Sequence, residues 1–173
     1  MLATKANVNQ TDESGIPLIH FAASRGQSDI CKILLDYNVN VNKTCIKGMT
    51  PLIWSVSNGH LEVSQILLQA KANINQPNHD GVLPILAAAS NMRYNVLSLL
   101  IANGSFINRQ NYQGKTPLMA SCQNGDFASV KLLLAKRADP SIVDKNGDTA
   151  LKYASRNCHE HIVQLLKLPK PSI

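Results

Sequence analysis

The chain is short of the features that most function classes require. Of its 173 residues only 16% are charged and 5% aromatic, with a single tryptophan. A nucleic-acid footprint is denser in cations and interleaved with aromatics, so no nucleic-acid partner is expected despite a net charge of +6. The neutral Asn and Gln residues between the cations fit a solvated, solubilising surface better. No apolar run is long enough to span a membrane, so no insertion is expected, and Met1-Leu2-Ala3-Thr4-Lys5 has no signal-peptide pattern. The four cysteines, Cys31, Cys45, Cys122 and Cys158, are unevenly spaced. Cys31 and Cys122 replace small residues on expected helices, the usual place for a buried free thiol. A reducing compartment, cytoplasmic or nuclear, is the expected location. The triplets Asn9-Gln10-Thr11, Asn42-Lys43-Thr44 and Asn103-Gly104-Ser105 have the glycosylation form, but they fall in Asn-rich tails and nothing else indicates secretion.

Catalytic chemistry is equally scarce. Gly114-Lys115-Thr116 looks like the end of a phosphate-binding loop, yet Arg109 stands where its first glycine would be and Pro117 follows. Cys158-His159-Glu160-His161 has no second ligand pair at zinc spacing, so its histidines read as structural and no metal is expected. No Ser or Cys partner can be placed beside His20. No catalytic residue is assigned, no cofactor or small-molecule substrate is expected, and the chain is not read as an enzyme.

Repetition is what the sequence has in quantity. Gly15, Gly48, Gly81, Gly114 and Gly147 recur every 33 residues, each followed by a helix opening: Pro17-Leu18-Ile19, Thr50-Pro51-Leu52, Leu83-Pro84-Ile85, Thr116-Pro117-Leu118 and Thr149-Ala150-Leu151. Small residues recur in register at Ala22-Ala23, Ser55-Val56, Ala88-Ala89, Ser121-Cys122 and Ala154-Ser155. So do the pairs Leu34-Leu35, Leu67-Leu68, Leu100-Ile101 and Leu133-Leu134. In the clearest copy, Thr50 can cap a short helix with Pro51 at its first position, Gly59 breaks it, and Val63, Ile66 and Leu67 return at helical spacing. One such helix pair cannot bury its apolar face alone. Copies stacked at this period form a solenoid.

These residues resemble ankyrin repeats, whose pattern is a turn glycine, Thr-Pro-Leu-His, two small residues, Gly-His and a leucine-rich second helix. The resemblance implies an all-α solenoid of helix-turn-helix units joined by β-hairpin-like turns. It divides the chain into the tail of a preceding repeat at 1–11, repeats at 12–44, 45–77, 78–110, 111–143 and 144–168, and a tail at 169–173. Met1 and Leu2 fall where a second helix would carry its Leu-Leu pair, so the chain is expected to begin inside a repeat; the alternative is a native start that covers the first repeat. At the other end, Lys167 replaces the apolar residue that should face a following repeat, and Pro169 and Pro171 prevent further helix. A C-terminal cap is expected there.

Departures from the family pattern mark the weaker joints. Pro17 replaces threonine, losing a cap, while His20 keeps the histidine position. Thr50, Thr116 and Thr149 keep the threonine, but Ile53, Met119 and Lys152 replace histidine, so the Thr–His bond is available nowhere. Met92-Arg93 replaces Gly-His, which strains a left-handed backbone by about 1–2 kcal/mol unless Asn91 adopts that conformation. Lys71 and Arg137 stand where the family, like Gly104 here, ends the second helix in glycine.

In ankyrin arrays the resemblance places partners on the concave side, along the turn tips and the exposed face of each first helix. The tip positions taken as partner-binding are Lys47, Met49, His79, Asp80, Tyr112, Gln113, Lys115 and Lys145. The first-helix positions are Arg25, Asn58, Asn91, Asn124 and Arg156. One further position gives Phe21, Trp54, Ala87, Ala120 and Tyr153. An aromatic there is either core filler or an interface anchor; both readings stand for Phe21 and Tyr153, and Trp54 is expected in the interface. The groove then has an aromatic site near Phe21 and Trp54, a small-residue floor at Ala87 and Ala120, and basic tips at Lys115 and Lys145. The expected function is non-catalytic binding of a peptide or folded domain, with an acidic segment opposite the basic tips. The alternative is a targeting or substrate-recruiting arm of a larger enzyme or channel. Asn42, Asn75 and Asn108 stand at the position that asparaginyl hydroxylases modify in the family, and also suit turn hydrogen bonding.

Overall fold

In the computed structural model the described residues are 8, 10–13 and 15–168. They form ten helices: α1 (Leu18–Ser24), α2 (Ser28–Asp36), α3 (Pro51–Asn58), α4 (Leu61–Gln69), α5 (Pro84–Ser90), α6 (Tyr94–Ala102), α7 (Pro117–Asn124), α8 (Phe127–Ala135), α9 (Ala150–Arg156) and α10 (Glu160–Lys167). Odd-numbered helices contact their odd neighbours and even-numbered ones their even neighbours, so five hairpins stack as an inner and an outer row. Among the described residues the only β pairing is two isolated bridges, Thr11 with Pro17 and Val143 with Thr149. The architecture is the all-α solenoid expected from the period. The readings made on Met1, Leu2, Asn9, Pro169, Pro171 and the 169–173 tail lie outside the described residues.

The inner helices start where threonine can hold them. Thr50, Thr116 and Thr149 accept the backbone N–H of Ile53, Met119 and Lys152 at 3.2–3.3 Å. Pro17 and Leu83 provide no such cap at the same register, a difference of about 1 kcal/mol per helix. Tertiary burial compensates. Ile19, Leu52, Ile53, Ile85, Leu86, Leu118 and Met119 from the inner row, with Leu34, Leu67, Leu100 and Leu133 from the outer, form a continuous core. Each buried side chain of this size contributes about 1.5–3 kcal/mol.

Several turns close left-handed without glycine. Met92 adopts φ +56°, and Asn91 stays at −105°, so the methionine carries the strain in the third repeat. Cys158 does the same in the fifth, at +57°. Lys71 and Arg137 end α4 and α8 at +66° and +67°. Cys31, Cys45 and Cys122 are buried free thiols, and Cys158 is exposed and free. Leu35, Leu68, Ile101 and Leu134 are half-buried, whereas Lys167 at the same register is exposed.

Candidate functional site

The tips are built by one repeated device. In each, the residue three before the turn glycine pairs with the residue one after it, as in Asn78 N–H to the Val82 carbonyl (3.0 Å) and Asn111 N–H to Lys115 (3.1 Å). The side-chain oxygens of Asn78, Asn111 and Asp144 each accept two further backbone N–H groups inside their own tip. Asp12 Oδ1 accepts the Ile16 N–H. Cys45 interrupts this series in the second repeat. These residues were missed in the sequence, although an Asx residue three before four of the five glycines was a readable signal.

Successive tips are then joined to one another. His79 N–H donates to the Lys47 carbonyl (3.2 Å), Tyr112 N–H to Asp80 (3.1 Å) and Lys145 N–H to Gln113 (3.1 Å). Gly48 permits this approach: at φ +70° a Cβ on it would fall 2.4 Å from the His79 ring. Lys47, His79, Asp80, Tyr112, Gln113 and Lys145 therefore form one exposed row on bonded backbone. Ile46 and Tyr112 are the most exposed apolar side chains in it, at 72% and 63%. Met49 is different. Its carbonyl accepts from His20 Nε2 (2.9 Å), its sulfur from Asn78 Nδ2 (3.4 Å), and its side chain lies half-buried against the core.

The aromatic positions serve the stack more than the surface. Trp54 is half-buried and meets the His20 ring edge-on, with centroids 6.3 Å apart at 89°. Its Nε1 is buried and unpaired. Burial also pushes the His20 pKa below its ordinary value, against the raising effect of the Met49 and Lys43 backbone. Phe21 is half-buried, and Ala87 and Ala120 are buried, closing the small-residue floor to side-chain contact.

Tyr153 ties α9 to its tip, donating from its phenol to Asp144 Oδ2 at 2.8 Å. Burial and this bond push its pKa up to about 12. Lys115 Nζ lies 5.1 Å above the Tyr153 ring and bonds Gln123 Oε1. Its half-buried ammonium is pushed below its usual pKa by burial, which the nearby Asp144 charge opposes. Arg156 is no free cation, because it and Lys152 both pair with the buried Asp148. The Lys152 bond, opposed by burial and helped by the Arg156 charge, holds Asp148 below the usual carboxylate range. Burial raises Asp144, but hydrogen bonds from the Asp148 backbone, Tyr153 and Asn146 outweigh it and leave Asp144 low as well.

The first-helix amides are also occupied. Asn58 and Asn91 donate back to the Trp54 and Ala87 carbonyls (3.0 and 2.8 Å), and Asn124 reaches the Ser90 carbonyl of the preceding repeat (2.8 Å). Arg25 is exposed. On the edge opposite the tips, His60 Nε2 bonds the Ser24 carbonyl (2.8 Å), Arg93 Nε that of Ser57 (3.2 Å) and His159 Nε2 that of Gln123 (3.1 Å). Asn42, Asn75 and Asn108 accept the backbone N–H of Asn73, Phe106 and Asp139 at 2.7–3.0 Å, pinning one repeat's closing turn to the next.

Among the described residues no group of three or more His, Cys, Asp or Glu side chains is arranged to hold a metal, and no helix is long and apolar enough to cross a membrane. A family model described as ankyrin repeats (3 copies) matches the chain twice, over residues 1–78 and 79–172. None of the curated proteins compared with the chain matches it.

Proposed function

Because the chain belongs to the ankyrin-repeat family, whose members are generally protein–protein interaction modules and typically non-catalytic, we propose that its row of tips is the surface that grips a protein partner. The observation that carries this reading is the display of Ile46 and Tyr112, 72% and 63% exposed, on loops held by inter-repeat backbone bonds. Apolar side chains on a rigid base lose little freedom on binding. Lys47 and Lys145 are exposed beside them, and Arg25 is exposed at the end of α1. Cations so placed favour an acidic segment in the partner, a peptide or folded domain lying along the concave side. Four unpaired thiols support a reducing compartment, cytoplasmic or nuclear.

The test joins Ile46→Ser to Tyr112→Ser, both exposed enough to leave the helical signal unchanged. Binding to a partner captured by the unmodified chain should fall about tenfold or more. Cross-links from that partner should reach Lys47 and Lys145 and spare Lys71 and Lys136. Unchanged affinity, or cross-links confined to the second pair, would remove the tips as the binding surface.

A further inference from the structure

The edge opposite the tips carries a second row of apolar side chains. Leu61, Tyr94 and Phe127 are the first residues of α4, α6 and α8, and they are 36%, 42% and 41% exposed. Each belongs to a repeat with a hairpin on both sides, so its exposure is a property of the middle of the array. Ser28 and Glu160 hold the same register in the first and fifth repeats and bound the row with polar groups. Met92 widens it beside Tyr94, 54% exposed at φ +56°, where Gly26, Gly59 and Gly125 close the equivalent turns. Strained backbone of this kind clusters where proteins contact ligands. The base beneath the row is fixed. Arg93 Nε bonds the Ser57 carbonyl, and His60 and His159 make the same joint to the turns before their own. Side chains held this way lose little freedom on contact.

Charge and spacing together define the occupant. Lys131 Nζ lies 5.8 Å from the centre of the Phe127 ring. Among the described residues neither Lys131 nor Arg93 pairs with a carboxylate, whereas Glu62 is held by Lys32. The uncompensated charge between Leu61 and Phe127 is therefore positive and suits an acidic partner. Two copies of this chain joined row to row about a twofold axis would set Arg93 against its own counterpart, which opposes self-association. Packed hairpins repeat about every 10 Å. Seven residues of α-helix rise about 10.5 Å, whereas a strand returns to one face about every 6.6 Å and falls out of step. We propose that Leu61, Tyr94 and Phe127 are the docking row for one amphipathic helix of a partner protein, with an apolar residue at every seventh position and carboxylates beside them to meet Arg93 and Lys131. That helix runs along the stack, across the first turns of α4, α6 and α8. This surface is separate from the tips.

The experiment titrates the 173-residue chain with a synthetic helix of about 22 residues, roughly 33 Å long. It carries leucine at every seventh position, glutamate on either side of each leucine, and alanine and glutamine elsewhere. Backbone amide resonances at the starts of α4, α6 and α8 should shift and saturate. A peptide of the same composition with leucine at every fifth position, which scatters them around the helix, should bind about tenfold or more weakly. Tyr94→Ser with Phe127→Ser should weaken the first peptide by a similar factor. Lys131→Glu, an exposed change, should weaken it while strengthening a peptide with lysine in place of glutamate. Ile46→Ser with Tyr112→Ser should leave it unchanged, so failure here and failure at the tips are told apart. Absent shifts, shifts at the tips, or equal binding of the scattered peptide would overturn the proposal. A dimer of the chain that Tyr94→Ser with Phe127→Ser dissociates would also overturn it, by giving the row to a second copy.

Discussion

Gly125 and Cys158 occupy one register position in neighbouring repeats, and substituting each should change stability in opposite directions. Gly125 closes α7 at φ +71°. An alanine there incurs about 1–2 kcal/mol of left-handed strain. Its Cβ would also lie 2.6 Å from His159 Cε1 and 2.8 Å from Nδ1, too close for any real contact. The imidazole cannot retreat without giving up its 3.1 Å bond to the Gln123 carbonyl, a loss of about 1 kcal/mol. The alanine also leaves the unfolded chain less free, which offsets about 0.4–1 kcal/mol, so Gly125→Ala should destabilise the chain by about 1.5–2 kcal/mol. Cys158 stands at +57° with its side chain exposed. Glycine there recovers the same strain, less about 0.4–1 kcal/mol for the freer unfolded chain, a net gain of about 0.5–1 kcal/mol. At about 2–4 °C per kcal/mol for a chain of this size, the melting midpoint should fall by about 3–8 °C in the first variant and rise by about 1–4 °C in the second. Far-UV circular dichroism against temperature and urea reads both. Measured against His159→Ala as its parent, Gly125→Ala should retain only the net backbone part, about 0.5–1 kcal/mol. A neutral Gly125→Ala, or a Cys158→Gly that melts earlier, would refute the reasoning.

Other expectations follow from the joints. Tyr153→Phe deletes the bond to Asp144 and should cost about 1–2 kcal/mol, with faster amide exchange confined to the fifth tip and α9. Thr50→Ala removes the cap on α3 and should cost about 1 kcal/mol in urea denaturation, an amount that substitution at Pro17, which caps nothing, should not reproduce. Asp144 and Asp148 are both held below the ordinary 3.8. Their contribution is therefore fully present above that pH and is lost as the pH falls through the lower folded-state values. Asp148→Asn should accordingly be less stable than the parent at neutral pH, and the gap should close on acidification; a gap that widens in acid would contradict the assignment.

Much of the fold was legible because the period survives in residues whose local effect is strong. Threonine and proline before Leu52 and Leu118 start helices, and glycine after Asn58 and Asn124 stops them. The strain at Met92 could be read from a missing glycine, though only coordinates show that Asn91 does not take it. The site was less legible. Periodicity places Arg156 and Tyr153 on a face but does not reveal that Asp148 and Asp144, in the tip just before, already hold them. Trp54 reads as an anchor by composition, yet its neighbour is His20, 34 positions earlier in sequence and one repeat away in space. Asn58 and Asn91 look free on a helical wheel, where a side chain folding back to a carbonyl four residues earlier is invisible.

The carbonyls of Ser24, Ser57, Ser90 and Gln123 are each met by a side chain from the following hairpin, reached 34–36 residues later. This gives the molecule a temporal polarity. During synthesis, the inner helix of one unit leaves the ribosome with its end unsealed, and stays so until its successor has emerged far enough to deliver His60, Arg93, Asn124 or His159. Growth from the amino end thus consolidates one unit behind the newest, and a ribosome that stalls between units releases a chain whose last finished hairpin is still ajar.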